Sequence, residues 1–259
     1  MSLSRDVSPP RRRKHWGWGF EDQQPPPEQV EAAAAAAREQ LGFAPAEVER
    51  PVPLGAIELP PTRLDAPASL AHICATGRYE RVTHSYGKSY RDVVRAFRGR
   101  FDNPTDLVAH PADEADLERA LAWCEEVGAA AIPFGGGTSV VGGLEPPGDR
   151  PSVTVDLRSM DRVVEVDRTS RAALIQAGAT GPGLEEQLRD HGLTLRHFPQ
   201  SFEYSTLGGW IATRAGGHYA TLHTHIDDFV ESIRAVTPRG LWESRRLPEI
   251  GRASCRERV

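Results

Sequence analysis

Residues 132–147 read IPFGGGTSVVGGLEPP, with five glycines in sixteen positions and neither lysine nor arginine. Glycine this dense marks a backbone that another group must approach closely. The run AAAIPF leads into it and reads as a short buried strand, so the chain passes from strand directly into loop. Spacing separates this loop from the familiar ones. A Walker A loop needs a lysine after its last glycine, and none follows here. A Rossmann turn needs glycine three positions after Gly137, where Val140 stands; a kinase loop fails for the same reason. What remains is Gly135-Gly136-Gly137-Thr138-Ser139, then Val140-Val141-Gly142-Gly143. Residues 134–143 include no proline, so each keeps a backbone N–H that can turn toward an anion. A diphosphate diester fits such a loop, because it needs neutralising but no activation. The competing explanation is a tight turn between strands, which needs only one or two glycines.

A second stretch, PQSFEYSTLGGWIATRAGGHYA (199–220), carries a related signal. TLGGWIATRA reads as a helix opened by Ser205 or Thr206. Gly208 and Gly209 fall in its first turns, where each costs about 1 kcal/mol relative to alanine. Either that backbone lies flat against a ligand, or the helix packs closely on another segment.

The rest of the chain frames these two stretches. Residues 27–43 are alanine-rich and predict a helix. Residues 44–68 carry several prolines and read as an extended connector. SYRDVVRAFRGRF (89–101) has helical spacing at Val93, Val94 and Phe97, with its arginines expected on a solvated face. Asp113–Val127 reads as an amphipathic helix with Leu117, Leu121 and Cys124 on the buried side, Trp123 at its edge and Gly128 as its stop. Strands are expected at 152–157, 163–166, 173–178 and 193–198 (LTLRHF), and SIRAVTP (232–238) closes the ordered pattern. A helix is expected at 181–192, with Pro182 at its start and Gly192 at its end. This order predicts an α+β domain in place of a regular βαβ winding.

Charge and composition narrow the function classes. The 31 Lys and Arg against 36 Asp and Glu give a net charge of −5, mixed along the chain, which argues against a nucleic-acid binder. No apolar run is long enough for a membrane span, and the start lacks the apolar stretch of a secretory signal. The three cysteines suggest a reducing compartment, and a cytoplasmic location is expected. At the N-terminus RRRK (11–14) is followed by Trp16, Trp18 and Phe20. This segment reads as a tail that docks by its aromatics, with an anionic-ligand patch as the alternative. His218, His223 and His225 precede Asp227 and Asp228; a polar loop is favoured over a zinc site. His197 and Cys124 read as packing residues.

PFGGGTS (133–139), QSFEYST (200–206), GGW (208–210) and TRAG (213–216) together resemble the FAD-binding domain of the vanillyl-alcohol-oxidase, or PCMH, type. RRRKHWGWG, MDRVVEVD, AGATGPGLEEQL and IDDFVESIRAVTPRG extend the likeness to the alkyldihydroxyacetonephosphate synthase branch, over residues 11–20 and 80–248. The resemblance implies an α+β, two-subdomain, PCMH-type fold that is incomplete and carries an N-terminal helical extension. Its divisions would be residues 1–100 for the extension, 101–248 for the FAD-binding domain, and 249–259 for a non-native tail. It implies that Pro133, Phe134, Gly135, Gly136, Gly137, Thr138 and Ser139 hold the diphosphate. Gln200, Ser201, Ser205, Thr206, Gly208, Gly209, Thr213, Arg214, Ala215 and Gly216 would line the flavin and the remainder of the cofactor. Some relatives link flavin through a histidine in the glycine loop; Thr138 stands here, so non-covalent FAD is expected. The family's later Glu-Gly-Thr-Leu-Gly-type segment and its cap domain have no counterpart in the sequence, so no catalytic residue and no metal ligand is assigned. The implied function is an oxidoreductase-type flavoprotein acting on a small-molecule or lipid-like substrate such as an acyl-dihydroxyacetone phosphate. The alternatives are an FAD-dependent 2-hydroxy-acid dehydrogenase or oxidase, and an FAD-binding fragment inactive alone. A homodimer is left open.

Overall fold

Parallel strands buried on both faces read as continuous β-branched runs, and the centre of this protein is built on one. The structure is a computed structural model, and it describes residues 11–42, 47–217 and 225–244. The alanine-rich helix α1 (Pro27–Leu41) ends on Gly42, whose left-handed backbone returns its N–H to the Arg38 carbonyl. After the connector come β1 (Cys74–Ala75), α2 (Arg78–Thr83) and α3 (Tyr90–Phe97), the last capped by the Ser89 hydroxyl. Next are β2 (Leu107–Ala109), α4 (Glu114–Glu126, capped by Asp113), β3 (Ala130–Phe134) and β4 (Ser152–Asp156). The sheet order is β1-β2-β4-β3. β4 runs parallel to both neighbours, and every one of its residues is buried. One face of the sheet packs Leu107, Val153 and Val155 against Ala120, Trp123 and Cys124 of α4. Leu64, Leu70 and Ile73, from before residue 100, complete that core.

The second half forms a smaller layer. Strands β5 (Val163–Asp167) and β6 (Ala172–Ile175) make an antiparallel hairpin, followed by α5 (Gly181–Arg189) and α6 (Leu207–Thr213). Leu184 and Leu188 of α5 meet Leu207 and Trp210 of α6 in a second core, closed by Ala179 and Ile226. β7 (Arg234–Thr237) and β8 (Gly240–Glu243) form a further hairpin. A third cluster, Ile57, Val82, Tyr86, Ala96 and Phe101, packs Trp16 of the N-terminal segment. Among the described residues no helix is long and apolar enough to cross a membrane.

Four local expectations are corrected. LTLRHF (193–198) is not a strand. The Glu185 carboxylate of α5 accepts from the N–H groups of Leu195 and Arg196, and Arg196 turns to φ 57°, so no ladder forms there. The strand expected at 173–178 ends at Ile175, because Gln176 and Gly178 donate to the loop carbonyls of Arg162 and Met160. The α3 arginines do not all face solvent: Arg95 is held by Asp92 and Glu145 and lies over the Tyr86 ring at 4.1 Å. Trp123 is buried in the first core and not at its edge, whereas Leu121 is only half-buried.

Candidate functional site

The glycine loop leaves the end of β3 and is clamped from two sides. A Cβ on Gly136 would lie 2.0 Å from the Tyr204 carbonyl oxygen, and one on Gly135 would lie 2.2 Å from Thr206 Oγ1. The loop therefore lies flat on the 204–206 backbone, which no residue larger than glycine permits. On its far side the Ser139 carbonyl accepts from Lys88 N at 2.6 Å, and Gly87 is equally tight against it. Gly137 adopts φ +66°, a conformation glycine takes without cost. Among the described residues, the N–H groups of Gly136, Gly137, Thr138 and Ser139 donate to no protein acceptor. Gly136, Gly137 and Thr138 line a cleft together with Phe134 and Tyr204.

The second stretch contributes differently along its length. Thr206 sits buried at the start of α6 against the loop, as its backbone carbonyl receives Trp210 N. Ser205 is committed internally: its hydroxyl donates to the Ser201 carbonyl and accepts from Trp210 Nε1 at 2.6 Å. Gly208 is closed by packing, with its N–H on the Ala177 carbonyl and its missing Cβ 2.8 Å from Ala177 Cβ. Gly209 is exposed, and a Cβ there would find only Thr206 Oγ1, at 3.5 Å. Beyond α6, Thr213 bonds back to the Gly209 carbonyl and Arg214 pairs with Asp227. Ala215 N–H closes on Trp210, and Gly216 packs on the His225 ring. The cleft thus gathers Phe134, Gly136, Gly137 and Thr138. Gln200, Ser201 and residues 213–216 lie outside its lining, as do Pro133 and Ser139. His218 and His223 lie outside the described residues, as does 249–259. His197 is a core residue, packed on Trp210 and Phe229.

Sequence reasoning missed the charged floor and one wall of this cleft. Below Phe134, the Asp156 carboxylate at the end of β4 receives Arg158 and lies 3.1 Å from His84 Nε2 and 3.4 Å from His110 Nδ1. Those contacts hold Asp156 well below the ordinary carboxylate range despite burial, and they raise His110 to about 9 through Asp156 and Glu80. Among the described residues this cluster does not form a metal-binding group. The wall is the N-terminal segment. Residues 13 and 20 form a β-bridge, so RRRKHWGWGF closes on itself as a tight strap. Arg13 donates to the carbonyls of Gly136 (2.7 Å) and Tyr204 (3.2 Å), joining the loop to the second stretch. Trp18 and Phe20 pack on Tyr204, and Trp16 on Phe97. The segment therefore docks by its aromatics and also brings its basic residues to the cleft. The sequence signal was present in the basic run followed by aromatics, but its partner lay more than a hundred positions away.

The site is thus a strand-ending glycine loop whose N–H groups meet no protein acceptor among the described residues, pressed on a second glycine-bearing segment. The chain belongs to the FAD-binding domain family: the profile described as "FAD binding domain" matches residues 105–244. The particular relatives are synthases. The chain is 43% identical over 166 residues to the alkyldihydroxyacetonephosphate synthase of Dictyostelium discoideum, covering 64% of this chain and 27% of that protein. It is 39% identical over 169 residues to the synthase of Trypanosoma brucei brucei, covering 64% and 28%. A solved structure of an alkyldihydroxyacetonephosphate synthase matches with a TM-score of 0.79 at 32% identity, over 91% of this chain and 49% of that one. The chain thus spans about a quarter of the curated relatives' length and about half of the solved chain. The donor set fits FAD: N–H groups uncommitted among the described residues, the Thr138 hydroxyl, and cations on the facing wall suit a diphosphate.

Proposed function

We propose that this chain is the cofactor-holding part of an alkyldihydroxyacetonephosphate-synthase-like flavoprotein, and that it binds FAD without a covalent link. The observation that carries the reading is the row of N–H groups from Gly136 to Ser139, unpaired within the described protein and held open by Tyr204 and Lys88. Residues 133–139 hold the diphosphate, Thr206 and the exposed Gly209 surface border the remainder, and residues 101–248 form the binding unit with 1–100 as its extension. Bound FAD supplies the electron-accepting ring. The chain's own residues bind and orient it: Arg13 fixes the loop against Tyr204, and Phe134 covers the charged floor. Non-covalent binding is supported by Thr138 in the loop and by the two cleft histidines. His84 and His110 are both engaged by Asp156. The similarity extends the reading to acyl-dihydroxyacetone-phosphate-type substrates, with no substrate-handling residue assigned among those described.

Reconstitution with FAD tests the reading. The purified chain should acquire flavin absorption, and acid precipitation should release the flavin to the supernatant. Flavin in the pellet would show a covalent link; a chain that takes up no flavin would overturn the assignment.

A further inference from the structure

The glycine loop carries no cation of its own, yet four basic side chains line the cleft it opens into: Arg13, Lys14, Lys88 and Arg158. Three of them are spoken for. Arg158 is paired with Asp156, Arg13 bonds two carbonyls, and Lys14 donates to the Gln23 carbonyl. Lys88 is different. Its backbone N–H supports the loop through Ser139, but its ammonium has no hydrogen-bond acceptor and no ion-pair partner among the described residues. Asp92, the acid that attracts it, accepts from Arg95 through Oδ1, and its Oδ2 is hydrogen-bonded to neither Lys88 nor any other described residue. Burial and the neighbouring Arg13 guanidinium outweigh that attraction and push the Lys88 ammonium down to about 8. A part-buried cation with no hydrogen-bonded counter-ion is costly to keep. Placed beside uncommitted N–H donors, it has the chemistry of a site completed by an anion.

We propose that the Lys88 ammonium is the diphosphate-neutralising group of the cofactor site, supplied from the 87–88 segment behind the loop, with the Arg13 strap holding the loop in register with it. The proposal rests on the FAD reading above and assigns a binding residue outside the glycine loop. Two consequences of opposite sign follow. Removing the charge weakens binding of a diphosphate ligand. The same change relieves an uncompensated charge in the ligand-free protein and does not lower its stability.

The test is calorimetric titration of the whole chain with FAD and, separately, with ADP, on wild type, Lys88→Gln and Lys88→Arg, alongside thermal melts without ligand. Loss of a charge-assisted contact predicts a Kd increase of about tenfold to a hundredfold for both ligands in Lys88→Gln. Lys88→Arg should recover most of the affinity, and the ligand-free Tm of Lys88→Gln should equal or exceed that of wild type. FAD and ADP binding within twofold of wild type in Lys88→Gln would overturn the proposal and leave the FAD reading standing. A loss of binding that comes with a lowered ligand-free Tm would overturn it too, since Lys88 would then be structural. Lys88-dependent ADP binding without FAD binding would keep the anion site and overturn the flavin assignment. A wild type that binds neither ligand would overturn both.

Discussion

The glycine loop and the α6 segment are both glycine-rich, yet their glycines answer to different neighbours. In the loop, Gly135 is small because the Thr206 side chain presses on it and Gly136 because the 204–205 backbone does, and Gly136 also lines the cleft. The loop stands on a charged floor of Asp156, His84, His110 and Arg158. In the α6 segment, Gly208 is closed by Ala177 and Gly216 by His225, whereas Gly209 is open. That segment rests on an apolar core, with the Ser205 hydroxyl tied to the Trp210 indole. Glycine density therefore reports close approach but not the identity of what approaches. A ligand, a neighbouring strand and a facing loop all leave the same mark in the sequence.

The sharpest way to break this contrast is at the floor. Asp156 is 1% exposed and holds three basic groups at once. Asp156→Asn removes the charge that compensates Arg158 and should destabilise the protein by about 3–5 kcal/mol, the usual cost of breaking a buried pair from one side. Urea denaturation should show the midpoint falling with an unchanged slope. A shift smaller than 1 kcal/mol would mean the floor is not a compensated charge cluster, and the loop and the α6 segment would differ less in what supports them.

Next in size is the joint between the loop and the 204–205 backbone. A methyl group on Gly136 has only backbone to meet, at Tyr204 and Ser205, so Gly136→Ala must separate the loop from α6. The expected cost is about 2–3 kcal/mol together with loss of FAD binding. Unchanged melting with intact binding would show that the loop does not rest on the second segment.

The charged floor also gives the loop side a pH dependence. His110 is raised to about 9 by Asp156 and Glu80, above its ordinary value near 6.5. A raised histidine contributes stability that is fully present below about pH 6.5 and is lost as pH climbs through about 9. The stability gap between wild type and His110→Gln should therefore shrink across that window. Because the side chain is 30% exposed, the change should be on the order of 1–2 kcal/mol, less than the full shift implies. A gap that is flat from pH 6 to about 9 would remove His110 from the floor.

What the sequence disclosed follows the same division. Features set by local spacing were legible: the glycine loop after a strand, the amphipathic helix α4 before Gly128, Pro182 at the start of α5, and the strand β4. Features set by distant partners were not. LTLRHF has strand composition, but Glu185 takes the N–H groups of Leu195 and Arg196 from ten and eleven positions back along the chain. Lys88 and Arg13 reach the loop across some fifty and 123 positions respectively, so nothing in their own neighbourhoods marks them as cleft residues. Asp156 sits at the end of a strand read correctly, yet its role depends on His84 and His110, which only the fold brings together. Gly208 and Gly209 are adjacent and alike in sequence. Only the position of Ala177 tells that one is closed and the other open.

That last pair provides the finest separation of ligand from packing. Gly209 lies in the first turn of α6 with no atom closer than 3.5 Å to an added Cβ, so Gly209→Ala is sterically free in the ligand-free protein. Alanine loses less backbone freedom than glycine on entering a helix, and the substitution should stabilise the fold by about 0.5–1 kcal/mol. Gly208→Ala, one residue earlier, should do the reverse, because Ala177 Cβ already stands 2.8 Å from the added methyl and its carbonyl is bonded to Gly208 N–H. If the cofactor lies flat on the open surface at Gly209, the stabilising methyl also lifts it away. Gly209→Ala then melts higher than wild type yet binds FAD severalfold more weakly, a combination no packing role can produce. Higher melting with undiminished FAD affinity would place the cofactor elsewhere, and it would leave the glycine loop and Lys88 as the contact the cradle makes.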